Sequence, residues 1–479
     1  MRLRLGAKQI PEQDNHAVKT PKTRRNLGNC KETSKPYKEK MPEKYDYKLP
    51  LSAQASRLSI NEGETLIERS ILPGGIRLLT QQVPASPSVV LGFWIPAGSR
   101  DEDPQHLGST HYLEHLLFKG SATRTAKQIS RAFDAVGGEL NAATAKESTH
   151  YYCRVLSRDL PMAVAVLTEM LARPILAQAD FELERAVILD ELAMSQDDPQ
   201  DVGYEKFLGE LFPSSPLGLP VGGTAQTVAD TPLEAVKAHH QRWYQPRHLV
   251  VAAAGDIKHD RLAQLILDAA SKNGWPLPAG TDPQVPQRTQ PDPAVPASAV
   301  VEKTVEQGQI FIGTRSLPAN DPQRDTLSML LTVLSGGMSS RLFQEIREKR
   351  GLAYSTYAFD SAYSDSGSFG LYAGCAPNNL EQVGDLLVAE LEKLAEHGVP
   401  EGELSEALGQ LSGGVLLGMD DNRARMARLG RAEVNGGRLR TIEQLNAALQ
   451  NVSSAQISEL AAQFLGLPQV KVVVRPTVA

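Results

Sequence analysis

Two periods of apolar residues run along this chain. Short apolar or alternating stretches predict strands over 89–96 and 151–156, and spacing of three to four residues predicts helices over 126–136, 160–172 and 181–194. The segment 275–298 then breaks the pattern with seven prolines and little apolar material, as an interdomain linker would. Beyond it the same two periods return, with strands predicted over 309–313 and 368–373 and helices over 326–334 and 380–396. The two stretches also end alike. Thr227-Val228 opens a helical run that leads to Trp243 and a strand over 249–254, and Thr441-Ile442 opens one that leads to Phe464 and a strand over 470–474. Strands and helices are interspersed without regular alternation, so the expected fold class is α+β: two duplicated domains of mixed sheet packed with helices, at 62–274 and 299–479, joined by the Pro-rich linker 275–298.

Composition adds bounds to this picture. With 479 residues, 41% of them hydrophobic, each half can bury its own core, and no apolar run approaches the roughly 20 residues of a membrane-spanning helix. The three cysteines, Cys30, Cys153 and Cys375, are odd in number and far apart, which argues against a disulfide framework and for a reducing compartment. The net charge of −6 is uneven: residues 1–50 hold 13 Lys/Arg against 6 Asp/Glu, leaving −13 for the remainder. Residues 1–61 read as a disordered basic tail, polar and short of large apolar side chains. That tail has neither the apolar centre of a secretory signal nor the acid-poor composition of an organelle presequence, so a cytoplasmic location is expected, with no nucleic-acid or membrane partner. Gly336-Gly337 lacks the further glycines and lysine of a phosphate loop.

The candidate chemistry lies in His111-Tyr112-Leu113-Glu114-His115. At about 100° per helical residue, His111, Glu114 and His115 share one arc of roughly 100°, while Leu113, Leu116 and Leu117 point elsewhere and can anchor the helix. Two imidazoles suit zinc, but a catalytic site needs a third protein ligand and an open position for water. The richest source is the predicted helix 181–194, with Glu182, Glu184, Asp190 and Glu191; Leu183, Ala186, Val187 and Met194 are expected to form its packing side. Glu184 and Glu191, seven residues apart, would share a face about 10 Å apart along the axis.

The order H-x-x-E-H resembles that of the pitrilysin/insulinase family of inverzincin metallopeptidases. Other stretches are similar to that family too: 184–191, beginning 69 residues beyond His115; 138–142, followed by Thr144, Glu147 and Tyr151; and 337–354 in the second half. The likeness covers about 68–474 and is greatest to the short-chain branch of bacterial processing proteases and the mitochondrial processing peptidase. It implies one Zn2+ per chain held by His111, His115 and Glu191, with Glu114 as general base. Glu184 would support the site, with Asp190 as a rival for that task. The resemblance further implies that Asn141 and Ala142, on a strand beside the site, and Arg347 and Tyr354, from the second half, bind the peptide substrate.

The function expected on these grounds is a zinc-dependent endopeptidase acting on extended peptides or precursor segments. The alternative is a non-catalytic structural or partner subunit, which would not need an intact base and ligand set. His397 is the one histidine of the second half, so that half is expected to serve as a substrate-binding wall. Family enzymes enclose substrate with four such domains, which implies a homodimer, or a heterodimer with a non-catalytic relative.

Overall fold

The computed structural model describes residues 47–48, 57–436 and 438–477. Most of the tail expected over 1–61 lies outside them, but residues 47–48 and 57–61 do not: the first two form a short strand and the last five open another. The strands are β1 (Tyr47–Lys48), β2 (Arg57–Glu62), β3 (Thr65–Ile71), β4 (Arg77–Gln82), β5 (Ser88–Ile95), β6 (Glu139–Thr144), β7 (Thr149–Leu156) and β8 (Val250–Gly255) in the first half. Those of the second half are β9 (Ala297–Lys303), β10 (Gly308–Ser316), β11 (Ala353–Ala362), β12 (Gly367–Cys375), β13 (Arg438–Leu439) and β14 (Val470–Pro476). β1 and β13 pair antiparallel as a short ribbon.

The first sheet runs β2-β3-β4-β8-β5-β7-β6 and the second β11-β12-β10-β14-β9. Read from the β6 and β11 edges, the two orders are the same, including one parallel pair in each, β4 with β8 and β9 with β14. The first sheet merely adds the β2–β3 hairpin. The duplication expected from the rhyming chain ends is therefore present strand by strand, and the fold is a mixed α and β one of two related domains.

Each sheet buries one face under helices of its own half. In the first, Tyr112, Leu113, Leu116 and Leu117 of the Ser109–Leu117 helix join Leu167, Met170 and Leu171 and the sheet residues Leu91, Phe93 and Ile95 in one core. In the second, Leu327, Leu330, Val383, Leu387 and Phe464 meet Ile310 and Phe369.

The other faces are covered reciprocally. Helix Asn422–Val434 of the second half lays Met426, Leu429 and Val434 on Leu79, Val90, Trp94 and Ala252 of the first sheet. Helix Pro199–Leu211 of the first half lays Phe207, Leu208 and Leu211 on Phe311, Val470 and Val472 of the second. Glycines let these helices come close: a Cβ at Gly430 would stand 2.4 Å from the Trp94 ring, and one at Gly203 2.4 Å from the Phe311 ring. Beneath the first crossing, Glu433 takes a two-pronged pair of hydrogen bonds from Arg69 (2.9 and 2.7 Å), with both side chains fully buried. The domains at 62–274 and 299–479 thus exchange helices across the boundary drawn between them. Nor is the expected linker 275–298 a loose tether, since its last two residues belong to β9 and Trp275 and Leu277 pack against the first core.

Among the described residues, no helix is long and apolar enough to cross a membrane. Cys153 and Cys375 are buried free thiols, and Cys30 lies outside the described residues.

Candidate metal centre

The Ser109–Leu117 helix presents its apolar side to the first core and leaves His111, Glu114 and His115 half-buried on the other. Against it packs the helix Gln178–Asp197, whose buried stripe is Phe181, Glu184 and Ile188. Tyr112 fixes the crossing, stacking on Phe181 at 4.3 Å between ring centres and donating its hydroxyl to the Phe181 carbonyl at 2.9 Å. The packing side expected of this helix is not the one used. Leu183, Val187 and Met194 are exposed, at 66%, 42% and 73%, because the contact is a narrow stripe centred on a carboxylate instead of the most hydrophobic arc.

That crossing assembles the donor set. His111 Nε2 stands 3.8 Å and His115 Nε2 3.5 Å from Glu191 Oε2, and ligand atoms of all three residues lie within 4.8 Å of one another. Donors about 2.1 Å from a tetrahedral ion lie roughly 3.4 Å apart, so two imidazole nitrogens and one carboxylate oxygen at these separations fit zinc with little adjustment. Burial, reinforced by the neighbouring His115, pushes His111 down to about 4, keeping its ring neutral and its lone pair available at neutral pH.

Glu184 orients the second imidazole. It accepts from His115 Nδ1 at 2.8 Å, which places the ring proton on Nδ1 and turns Nε2 toward Glu191. Its other oxygen meets Lys119. Burial pushes the Glu184 carboxyl up, but hydrogen bonds from Lys119 and His115 outweigh it and hold the group below its ordinary value. Of the two carboxylates named for this task, Glu184 is the one that meets His115, and Asp190 is exposed. Glu184 thus acts on the donor set through His115, not as a member of it.

Glu114 is not one of the three and reaches β6, where Thr144 donates its hydroxyl to Glu114 Oε2. Burial raises the Glu114 pKa above the usual carboxylate value, with the Thr144 hydrogen bond and His115 opposing it. A carboxyl so placed, close to three donors yet not one of them, is suited to proton transfer.

β6 is the outermost strand of its sheet, so one row of its N–H and C=O groups faces away from β7. Asn141 and Ala142 lie on it, half-buried, and Ala142 N–H donates to Asn141 Oδ1 at 2.8 Å. Asn141 is a strand residue, and the turn before it is made by Gly137 at φ +65°. Arg347 and Tyr354 form a second cluster: the guanidinium lies 4.2 Å from the centre of the Tyr354 ring and donates to the Tyr354 carbonyl at 3.1 Å. Among the described residues, the side-chain hydrogen bonds and ring contacts seen for this pair are to each other and to Phe343, none to the metal helix. Tyr354 is 77% exposed and sits at a register shift where β11 leaves its ladder with β12. β11 is the outermost strand of the second sheet, the counterpart of β6, so the two expected substrate-binding patches occupy equivalent edges.

A family model for Insulinase (Peptidase family M16) matches residues 77–225, and a second, for the Peptidase M16 inactive domain, matches 231–411. An uncharacterized zinc protease of Streptomyces coelicolor is 41% identical over 403 residues, covering 84% of this chain and 87% of that protein. The chain belongs to the insulinase family. An uncharacterized zinc protease of Mycobacterium tuberculosis is 42% identical over 83% of this chain and 90% of its own length. The crystal structure of a protease from Helicobacter pylori superposes with a TM-score of 0.80 at 20% identity, covering 86% of this chain and 99% of that one, a likeness of fold. Among the described residues, His111, His115 and Glu191 form the one group of three or more such side chains able to hold a metal, and it lies within the part matched to the insulinase model.

Sequence reasoning left two participants without a task. Thr144, quoted only as part of a resemblance, donates to Glu114; Lys119, four residues past His115, pairs with Glu184.

Proposed function

We propose that this chain is a zinc-dependent endopeptidase that cleaves extended peptides. The observation that carries the reading is the convergence of His111, His115 and Glu191 on one point, with a second carboxylate, Glu114, beside them and held separately by Thr144. Zinc, when bound, acidifies water and polarises a carbonyl. His111, His115 and Glu191 would hold the ion, and Glu184 keeps His115 in the tautomer that can ligate. Glu114 accepts the proton from water as its oxygen attacks the scissile carbonyl, then delivers it to the amine nitrogen as the C–N bond breaks. The Thr144 hydroxyl occupies Oε2 of Glu114, which leaves Oε1 for this transfer.

An extended peptide would add to the free edge of β6, so main-chain hydrogen bonds supply affinity with modest sequence demands. Tyr354, on the equivalent edge of the second sheet, and Arg347, in the helical turn Phe343–Glu348 beside it, would hold a more distant part of the same peptide. Two chains would together enclose it, a proposal that native mass measurement of the active species tests directly. The central experiment pairs zinc analysis with cleavage of a peptide library by wild type and Glu114→Gln. Zinc retained and cleavage lost is the expected result; equal cleavage by both would remove Glu114 from the mechanism.

A further inference from the structure

The helix that carries the metal ligands has an N-terminus it cannot cap by itself. Its N-cap residue is Gly108, at φ +95° and without a side chain to accept from the first-turn amides. No larger residue fits there, because a Cβ on Gly108 would stand 2.6 Å from the Gly222 carbonyl oxygen. First-turn amides have no acceptor within their own helix, and burial without a partner is costly. The partner comes from six residues upstream. Glu102 is buried, and its two oxygens accept from Gly108 N and Thr110 N, each at 2.7 Å. Thr110 immediately precedes His111, and its hydroxyl also meets His239 Nε2 at 3.2 Å.

Glu102 is itself held from behind. Arg100 donates to both oxygens of Asp365 at 2.7 and 2.8 Å and to Glu147 at 2.5 Å. Asp101 takes two hydrogen bonds from Arg288, at 2.9 and 2.8 Å. Three consecutive charged residues therefore reach three different elements: the β11–β12 turn, the proline-rich strap and the metal helix. Such a fixed carboxylate can hold a short helix in place where a mobile one would follow it.

We propose that Glu102 is a positioning residue of the metal centre, fixing the first turn of the Ser109–Leu117 helix and through it the ring of His111. The proposal rests on the zinc site described above. His115 is steered directly by Glu184, whereas the Nδ1 of His111 is buried with no hydrogen-bond partner among the described residues. Among those residues no hydrogen bond steers the His111 ring, which meets the edge of His115 at 4.7 Å, so its placement depends strongly on the turn that Glu102 and the His106–Ser109 contact hold.

The test compares zinc affinity of full-length wild type, Glu102→Gln and Glu102→Asp by competition with a chromogenic chelator, well below the unfolding temperature. Gln keeps the shape but only one acceptor oxygen, and Asp is too short to reach both amides. Partners that orient ligands typically contribute 10- to 100-fold to metal affinity, so zinc binding is expected to weaken by about that factor in both variants, with kcat reduced and KM little changed. A folded variant with a lower melting temperature but wild-type zinc affinity would reduce Glu102 to a structural cap and overturn the proposal. Should neither variant fold, amide hydrogen exchange of the metal-free wild type decides: Gly108 and Thr110 amides are expected to be strongly protected, and exchange as fast as in open loops would overturn it. Wild type that binds no zinc would remove the function proposed above together with this inference; zinc-binding wild type with unaltered variants would remove this inference alone.

Discussion

The two sheets share one strand order, yet among the described residues only the first half carries a group of side chains able to hold a metal, and the difference lies in the helices laid against the sheets. In the first half the helix after β5 turns His111, Glu114 and His115 away from the core, and Gln178–Asp197 meets it with Glu184 and Glu191. In the second half the helix after β10, Arg324–Ser335, buries Thr326, Leu327, Met329, Leu330, Val333 and Leu334, and the counterpart of the glutamate helix is Glu401–Gly418, a glycine-containing segment. The fold tolerates both because each helix is anchored by its apolar side, which leaves the opposite side free to carry zinc ligands or nothing. What the halves keep in common is the exposed edge, β6 in one and β11 in the other, and the helix each lends to the other's sheet.

The sharpest way to break the comparison is to remove its chemical asymmetry. Glu191→Ala deletes the one oxygen donor, and zinc content measured after dialysis is expected to fall to background, with cleavage lost. His397→Ala, in the second half and 74% exposed, should change neither reading. Glu114→Gln should retain zinc and lose about 10²- to 10⁴-fold in kcat, the usual span for a positioned proton-transfer group.

The next effects concern the exchanged helices. Glu433→Ala leaves Arg69 buried and unpaired, and breaking such a pair costs about 3–5 kcal/mol; denaturant unfolding measures it. Both halves should unfold together in that variant, since the Asn422–Val434 helix belongs to the second half in sequence and to the first in packing. Gly430→Ala and Gly203→Ala form a matched pair, each thrusting a methyl to 2.4 Å from an aromatic ring, Trp94 or Phe311. Overpacking of this kind costs about 1–3 kcal/mol, and a similar loss of stability at the two sites is expected if the crossings are equivalent. A loss confined to one would show that only one exchange is tightly packed.

A last expected effect is a pH dependence. Burial pushes Glu102 up to about 7 against the pull of the Thr110 and Gly108 hydrogen bonds. A carboxyl with a folded value above its unfolded value of 4.5 is protonated in the folded chain and ionised in the unfolded one between the two, so folding takes up a proton there. Its contribution to stability is full below about 4.5 and lost as pH rises through about 7. The stability of wild type relative to Glu102→Gln should decline across that window, and a flat difference would show Glu102 to be ionised throughout.

Much of this molecule can be read from its sequence because local periodicity and short spacing are local physics. The helix predicted over 160–172 runs over those residues, that over 380–396 ends one residue later, and the strands over 89–96 and 309–313 fall on β5 and β10. His111, Glu114 and His115 share a helix face because they are neighbours in the chain. β2, β6 and the Asn422–Val434 helix carry weak patterns of their own, and they are ordered by what they pack against. Only the tertiary structure decided that Glu184 and not Asp190 meets His115, that Leu183, Val187 and Met194 stay exposed, and that Glu102 closes the helix that Gly108 cannot. Each of these depends on which arc of a helix another segment covers, and residues distant in the chain set that arc by close packing of their shapes and by the need of every buried polar group for a partner.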